Sequence, residues 1–279
     1  MNTPAVPRYR LVVVDLDDTL LDSSRRVHPE VHAVVAKAGA IGVRFSVATG
    51  RVFSSAAQVA AELGIDVPII SDGGAVLRHP SGQPSLRDLR IAPLVAAAIL
   101  AATAGEDVDH HVFYPDEILV NRASPAVARY ATRLRVEMRP VEDLSAEARR
   151  REIGPTMIVL RGTAETAPAM RARYQARFGG LVQVTSTAPH FVDFVHHDTS
   201  KSSALGQLGR YLGIGPAETI AVGDGVNDLD MLAYAGLGAL VANADPGLWQ
   251  YADYVAKKPH HRGVVEVIDR FCLGPHEPT

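Results

Sequence analysis

Leu11-Val12-Val13-Val14-Asp15-Leu16-Asp17-Asp18-Thr19-Leu20 decides how the chain is read. Four aliphatic residues run without alternation, and three aspartates follow within four positions. An unbroken apolar run of this length reads as a strand buried on both faces, the kind found in parallel sheets covered by helices. Acids directly after such a strand stand where open α/β sheets bind their ligands, beyond the carboxyl ends of the strands.

The same alternation extends outward from that strand. Residues 29–40 read as a helix and 43–48 as a strand that ends in Thr49-Gly50-Arg51. A helix over 52–63 stops at Gly64, and a strand over 67–70 is closed by Asp72-Gly73-Gly74. The pattern resumes in the last third of the chain. Residues 202–212 read as a helix, 219–222 as a strand, 228–235 as a helix, 237–241 as a strand and 264–271 as a helix. Strands alternating with helices argue for one parallel sheet with helices on both faces.

The middle of the chain differs. Ile91, Leu94, Val95, Ala98, Ile99 and Ala102 keep the spacing of an amphipathic helix, as do Val127, Tyr130, Ala131 and Leu134, and Ala167, Met170, Tyr174 and Phe178. Strands are expected over 157–160, 181–184 and 191–195. The expected fold class is therefore α/β, a Rossmann-like parallel-sheet core interrupted by an inserted α/β unit. The core is assigned to 1–82 and 190–279 and the insert to 83–189, with boundaries at Pro80-Ser81-Gly82 and around Ala188-Pro189. A frayed tail is expected from residue 274 on.

Composition narrows the function. The chain has 279 residues, 47% hydrophobic and 21% charged, which suits about two ordinary globular domains. The single cysteine, Cys272, excludes an internal disulfide and fits a reducing compartment. The uncharged stretch 91–105 is 15 residues long, short of the ~20 that a spanning helix needs. The apolar run at 11–14 ends in acids and does not resemble a signal peptide, so a cytoplasmic protein with no membrane partner is expected. A net charge of -3 offers no general field for nucleic acid. Residues 81–189 carry a net +2 and the remainder a net -5. That division suits an anionic substrate held over a metal site, and it equally suits chance.

Four clusters carry candidate chemistry: 15–20, Thr49-Gly50-Arg51, Lys201 at a helix start, and Gly223-Asp224-Gly225-Val226-Asn227-Asp228 after a strand. Clustered carboxylates stay ionised together only beside a cation. Oxygen donors without Cys/His spacing suit Mg²⁺ rather than zinc or copper. A lysine, a hydroxyl and free amides at strand ends supply donors for an anion. Only four lysines stand against 24 arginines, and a compact point charge fits one phosphate beside one carboxylate. Carboxylate nucleophile, metal, lysine and hydroxyl are together the parts of a phosphoryl-transfer site. The pairs His110-His111 and His196-His197 read as structural, because neighbours on a strand point apart. Arg149-Arg150-Arg151 reads as a solvated face, and Trp249 as a core residue.

These segments, DLDDTL at 15–20, VATGR at 47–51, DTSKSSAL at 198–205 and GDGVNDLDML at 223–232, resemble in order the four motifs of the haloacid dehalogenase superfamily. The position of the insert resembles its Cof-like subclass IIB phosphatases. The resemblance extends to 70–74, 242–245, Ala252-Asp253 and Gly263-Val264. It implies a Mg²⁺-dependent phosphatase that hydrolyses a small phosphomonoester, a sugar phosphate or similar metabolite. It implies Asp15 as nucleophile and site of a phosphoaspartyl intermediate, Asp17 as general acid/base, Thr49 as phosphoryl hydrogen-bond donor and Lys201 as the neutralising cation. Asp15, Asp224 and the carbonyl of Asp17 would hold the metal. Gly50, Asn227 and Asp228 would orient phosphate or metal waters, and the insert would act as a cap. Asp18 and Ser202 stand where relatives often have glycine, and Asp72 where many have asparagine, which makes Asp72 a candidate substrate contact; Arg51 is a candidate either to reach the substrate or to hold the cap. Further contacts are expected within 110–121 and 189–194. Two alternatives stay open: a mutase or phosphotransferase using the same intermediate, and a non-catalytic phosphate-ligand sensor.

Overall fold

The computed structural model describes residues 7–274 apart from 116 and 188. Ala188, one of the residues marking the expected second boundary, and residues 275–279 of the expected frayed tail lie outside the described residues.

The first third of the chain runs β1 (Leu11–Val14), α1 (Pro29–Ala40), β2 (Arg44–Val47), α2 (Phe53–Glu62), β3 (Ile69–Ser71), β4 (Val76–Arg78) and β5 (Arg87–Asp88). The middle runs α3 (Pro93–Thr103), β6 (Asp109–Phe113), β7 (Ile118–Val120), α4 (Pro125–Leu134), β8 (Met138–Pro140), α5 (Leu144–Arg150), β9 (Met157–Arg161), α6 (Ala167–Phe178), β10 (Gln183–Thr185) and β11 (Phe191–Val195). The last third runs α7 (Lys201–Leu212), β12 (Thr219–Gly223), α8 (Leu229–Tyr234), β13 (Leu237–Leu240), β14 (Tyr254–Val255) and α9 (His260–Ile268).

A five-stranded, all-parallel sheet has the order β14-β13-β12-β1-β2. The strand read first in the sequence therefore lies between strands from both ends of the chain. Its side chains divide by period two. Val12 and Val14 join a core with residues of α1, α2 and α9, while Leu11 and Val13 join a second core with residues of α7 and α8. Both faces are buried, which explains why the run shows no polar alternation.

A second sheet has the order β10-β11-β9-β6-β7-β8 and is antiparallel except for the β7–β8 pair. Ile158 and Leu160 of β9 pack into the core shared with α3, α5 and α6. Met157 and Val159 point the other way, into a cluster with Val127 and Leu134 of α4 and Val52 at the start of α2. No helix among the described residues is long and apolar enough to cross a membrane.

Three expectations need correction. Residues 191–195, assigned to the core half by the boundary at 190, form β11 inside the second sheet, paired with β9 and β10. A short buried strand carries no mark of which sheet it will join. Residues 67–70 were read as another parallel strand. A parallel Ala48–Ile70 bridge does set it alongside β2, but β3 then pairs with β4 and β5 in a small antiparallel sheet rather than as a full strand of the main one. Asp72, Gly73 and Gly74 all have positive φ, and this turn sends the chain back along β3. Trp249 is 44% exposed on a 3₁₀ turn and is not a core residue.

Candidate active site

Asp15, Thr49 and Asp224 each follow a strand of the parallel sheet, β1, β2 and β12 respectively. Their strands are neighbours, so residues roughly 200 apart in sequence meet at one edge. Lys201 opens α7, which Ser200 caps by accepting from the amide of Ser203 at 3.1 Å. Gly74 allows this helix start to come close. A Cβ there would lie 2.2 Å from the Ser200 carbonyl oxygen, and φ is +102°.

Lys201 is buried, and its Nζ donates to Asp15 Oδ1 at 2.7 Å and to Asp228 Oδ1 at 2.6 Å. Asp228 Oδ2 accepts from the amides of Asp224 and Gly225, both at 3.0 Å. Gly223 leaves room for that carboxylate, since a Cβ there would stand 2.5 Å from it. Thr19 Oγ1 donates to Asp224 Oδ1 at 2.5 Å. Carboxylate oxygens of Asp15, Asp224 and Asp228 lie within 4.8 Å of one another.

Three carboxylates stand around one lysine, and the imbalance shows in the proton affinities of Asp15 and Asp224. Burial pushes Asp15 well above the usual carboxylate range, Lys201 opposes this, and Asp228 and Asp224 add to it. Burial also pushes Asp224 up to about 6, against the Thr19 hydrogen bond. Burial lowers the proton affinity of Lys201, but Asp15 and Asp228 reverse this and raise it. A second cation among hard oxygen donors would relieve the excess charge, and the donor set fits Mg²⁺.

Asp17 has different neighbours. Arg51 grips it with Nε on Oδ2 and Nη2 on Oδ1, both at 2.8 Å. Arg25 Nη1 reaches Oδ1 at 2.7 Å, and Arg133 Nη2, from α4, reaches it at 3.2 Å. Burial alone would raise this carboxyl, yet the Arg51 hydrogen bonds and the charges of Arg51, Arg133 and Arg25 lower it to about 2. Thr49 Oγ1 accepts from the Arg51 amide at 3.1 Å.

A cavity of about 690 Å³ opens over these groups. Asp15, Asp17, Thr49, Gly50, Arg51, Asp224 and Asn227 line it from the parallel-sheet side. Tyr130, Arg133, Arg171, Thr187, His190 and Phe191 line it from the side of the second sheet. Lys201 and Asp228 lie buried behind this lining.

Asp72 is elsewhere. Its buried carboxylate accepts from Ser71 Oγ and Thr156 Oγ1, both at 2.8 Å, and it borders a separate small pocket with Thr156 and Pro115. A direct role in substrate contact therefore gives way to one at the junction of the two sheets. Within 189–194 the cavity is lined by Pro189, His190 and Phe191, whereas none of the described residues of 110–121 lines it. His110 and His111 point apart, to Thr103 and to the Tyr130 ring. Arg25 and Arg133 were not foreseen as partners of Asp17. Arg133 sits beside the stripe Tyr130, Ala131, Leu134, but nothing in the stripe says what its polar edge faces.

The family of haloacid dehalogenase-like hydrolases matches residues 12–268. The chain is 28% identical over 243 residues to an HMP-PP phosphatase of Serratia proteamaculans, covering 86% of each. A haloacid dehalogenase-like hydrolase of Bacteroides thetaiotaomicron superposes with a TM-score of 0.84 at 24% identity, covering 94% of this chain and 99% of that one. A subclass IIB sugar phosphatase superposes with a TM-score of 0.79 at 21% identity, covering 94% and 98%.

Proposed function

The chain belongs to the haloacid dehalogenase-like hydrolases and is a phosphatase, and on that footing we propose that it is of the Cof-like, subclass IIB kind and hydrolyses a small phosphomonoester through a phosphoaspartyl intermediate on Asp15. The observation that carries this is Asp15 itself, held by Lys201 at 2.7 Å beside Asp224 and Asp228, on the floor of a cavity whose other side bears Arg133 and Arg171. We assign a sugar phosphate or a metabolite of similar size as substrate. Arg133, Arg171 and the aromatic rings of Tyr130 and Phe191 line the side of the cavity where the leaving group would lie, and a cavity of this size takes a small molecule.

In the first step Asp15 Oδ attacks phosphorus in line, and the bond from phosphorus to the leaving oxygen breaks. That oxygen takes a proton from Asp17. In the second step Asp17, now a carboxylate, takes a proton from water, which attacks phosphorus. The Asp15–phosphate bond breaks and orthophosphate leaves. Mg²⁺, held by Asp15, Asp224 and the carbonyl of Asp17, supplies charge neutralisation for the phosphoryl oxygens when bound. Lys201 holds Asp15 in place, Asp228 fixes Lys201 and the amides of 224 and 225, and Thr49 and Gly50 hold the phosphoryl group, with Asn227 beside it. With three guanidinium groups on it, Asp17 is set as the base. Its turn as acid requires that the grip loosen, and Arg133 is the partner supplied by the second sheet.

We read the chain as a core bearing these residues and a cap bearing the second sheet, with the second crossing moved from 190 to residues 196–200 so that β11 stays with its partners. The buried free thiol of Cys272 is consistent with the cytoplasm.

Phosphate release from a panel of phosphorylated sugars, nucleotides and cofactors, with Mg²⁺ and with a chelator, tests the reading. Release by the wild type and none by folded Asp15→Asn is expected. An active Asp15→Asn protein overturns the mechanism. Rearranged ester without free phosphate would instead mean transfer to a hydroxyl.

A further inference from the structure

The loop that leaves Asp17 holds a second cluster, distinct in chemistry from the carboxylates around Lys201. Asp22, His28 and His261 bring one carboxylate oxygen and two ring nitrogens within 4.8 Å of one another. His28 Nε2 is 2.9 Å from Asp22 Oδ2, and His261 Nδ1 is 3.8 Å from the same oxygen. The other oxygen of Asp22 accepts from the amide of Ser24 at 2.8 Å, which turns Oδ2 toward the rings. His261 is only 7% exposed, and its Nδ1 is buried without a hydrogen-bond partner. A buried ring nitrogen left without a partner beside a carboxylate oxygen too far to bond it is a costly arrangement unless something else takes it up.

We propose that Asp22, His28 and His261 form a binding site for a transition-metal ion of the zinc class, separate from the Mg²⁺ centre. Two imidazoles and one carboxylate select such an ion over Mg²⁺, which prefers oxygen alone. Ligands at about 2.1 Å around a tetrahedral ion stand roughly 3.4 Å apart, and the two measured separations, 2.9 and 3.8 Å, bracket that spacing. Three protein ligands leave a fourth position for water. The two rings are stacked, 3.7 Å apart and 6° from parallel, so seating an ion turns at least one of them.

Such an ion would join three segments: the loop that continues from Asp15 and Asp17, the start of α1 where His28 is the N-cap residue, and the start of α9. The neighbouring His260 already ties α9 to this loop, with Nδ1 2.9 Å from the Asp18 carbonyl oxygen. Arg25, which grips Asp17, is also held through its amide to the Asp22 carbonyl at 3.0 Å. The site is thus a brace for the loop that carries the acid/base, and it is not itself a reaction centre.

Calorimetric titration of metal-stripped protein with Zn²⁺, in saturating Mg²⁺, tests this. One equivalent is expected in the wild type and in Asp224→Asn. Binding at least tenfold weaker is expected in His261→Gln and in His28→Gln, whose metal-free unfolding temperatures report whether each still folds. Zn²⁺ should raise the unfolding temperature of the wild type and of neither histidine variant. Undiminished binding in both folded histidine variants, no binding in the wild type, or binding lost in Asp224→Asn overturns the proposal.

Discussion

Arg133 Nη2 stands 3.2 Å from Asp17 Oδ1, and it is the point where a helix of the second sheet touches the proposed acid/base. The arginine is 40% exposed, so the pair adds little to stability. Its value lies in the substrate complex. Arg133→Ala is expected to lower kcat/KM by roughly tenfold, chiefly through KM, while the unfolding midpoint stays put. Steady-state kinetics on whichever panel compound turns over would show this, and an unchanged KM would remove Arg133 from substrate binding.

Lys201 presents a harsher case. Removing it leaves two buried carboxylates, Asp15 and Asp228, facing each other without their shared cation. Lys201→Met is expected to abolish turnover and to cost about 3–5 kcal/mol of stability. Lys201→Arg should fail as well, because a planar fork cannot take the place of a point charge between oxygens on opposite sides. Denaturant unfolding with and without Mg²⁺ checks this. Millimolar Mg²⁺ should recover part of the lost stability of Lys201→Met by relieving the same charge excess.

Asp72 couples folding to pH. Burial raises its carboxyl from 3.8 to about 6, against the hydrogen bonds from Ser71 and Thr156. The folded protein therefore holds the proton more tightly than the unfolded chain. The stabilising contribution is fully present below the unfolded value and is lost as pH rises through about 6. Above that the buried charge costs on the order of 3 kcal/mol. Asp72→Asn should thus be the more stable protein at pH 8, lose its advantage near pH 4, and keep the wild-type substrate profile. A wild type that is the more stable of the two at pH 8 contradicts this account.

Gly74 meets the start of α7 so closely that no side chain fits. Gly74→Ala is expected to destabilise by at least ~2 kcal/mol and to shift Lys201 away from Asp15. Activity should fall even at temperatures where the variant remains folded. A fully active Gly74→Ala protein would show that α7 can retreat without moving its lysine.

The parallel core was legible because its strands are buried on both faces, and such strands leave unbroken apolar runs as at 11–14. The convergence of the motif residues was legible for a related reason: Asp15 and Asp224 follow their strands directly and Thr49 follows its own after Ala48, so sheet order brings the three together. What resisted reading depended on pairing between distant segments. The sheet that β11 joins, the Arg133–Asp17 contact and the Thr156–Asp72 contact each link residues far apart in sequence. Trp249 misled because size and apolarity usually mean burial, whereas a short 3₁₀ turn offers little to pack against.

The central place of β1 in the parallel sheet sets an order of events on the ribosome. Its first neighbour, β2, follows within some thirty residues, but its second neighbour, β12, begins at Thr219. At 5–20 residues per second, one hydrogen-bonding edge of Leu11–Val14 waits roughly 10–40 s for its partner. Asp15, the proposed nucleophile, is thus made early, and Lys201, Asp224 and Asp228 around it arrive late. The intervening segment can complete its own sheet in that interval, so the nascent chain carries an open, wholly apolar strand edge beside a finished neighbour. Chaperone dependence and aggregation during synthesis should trace to that edge.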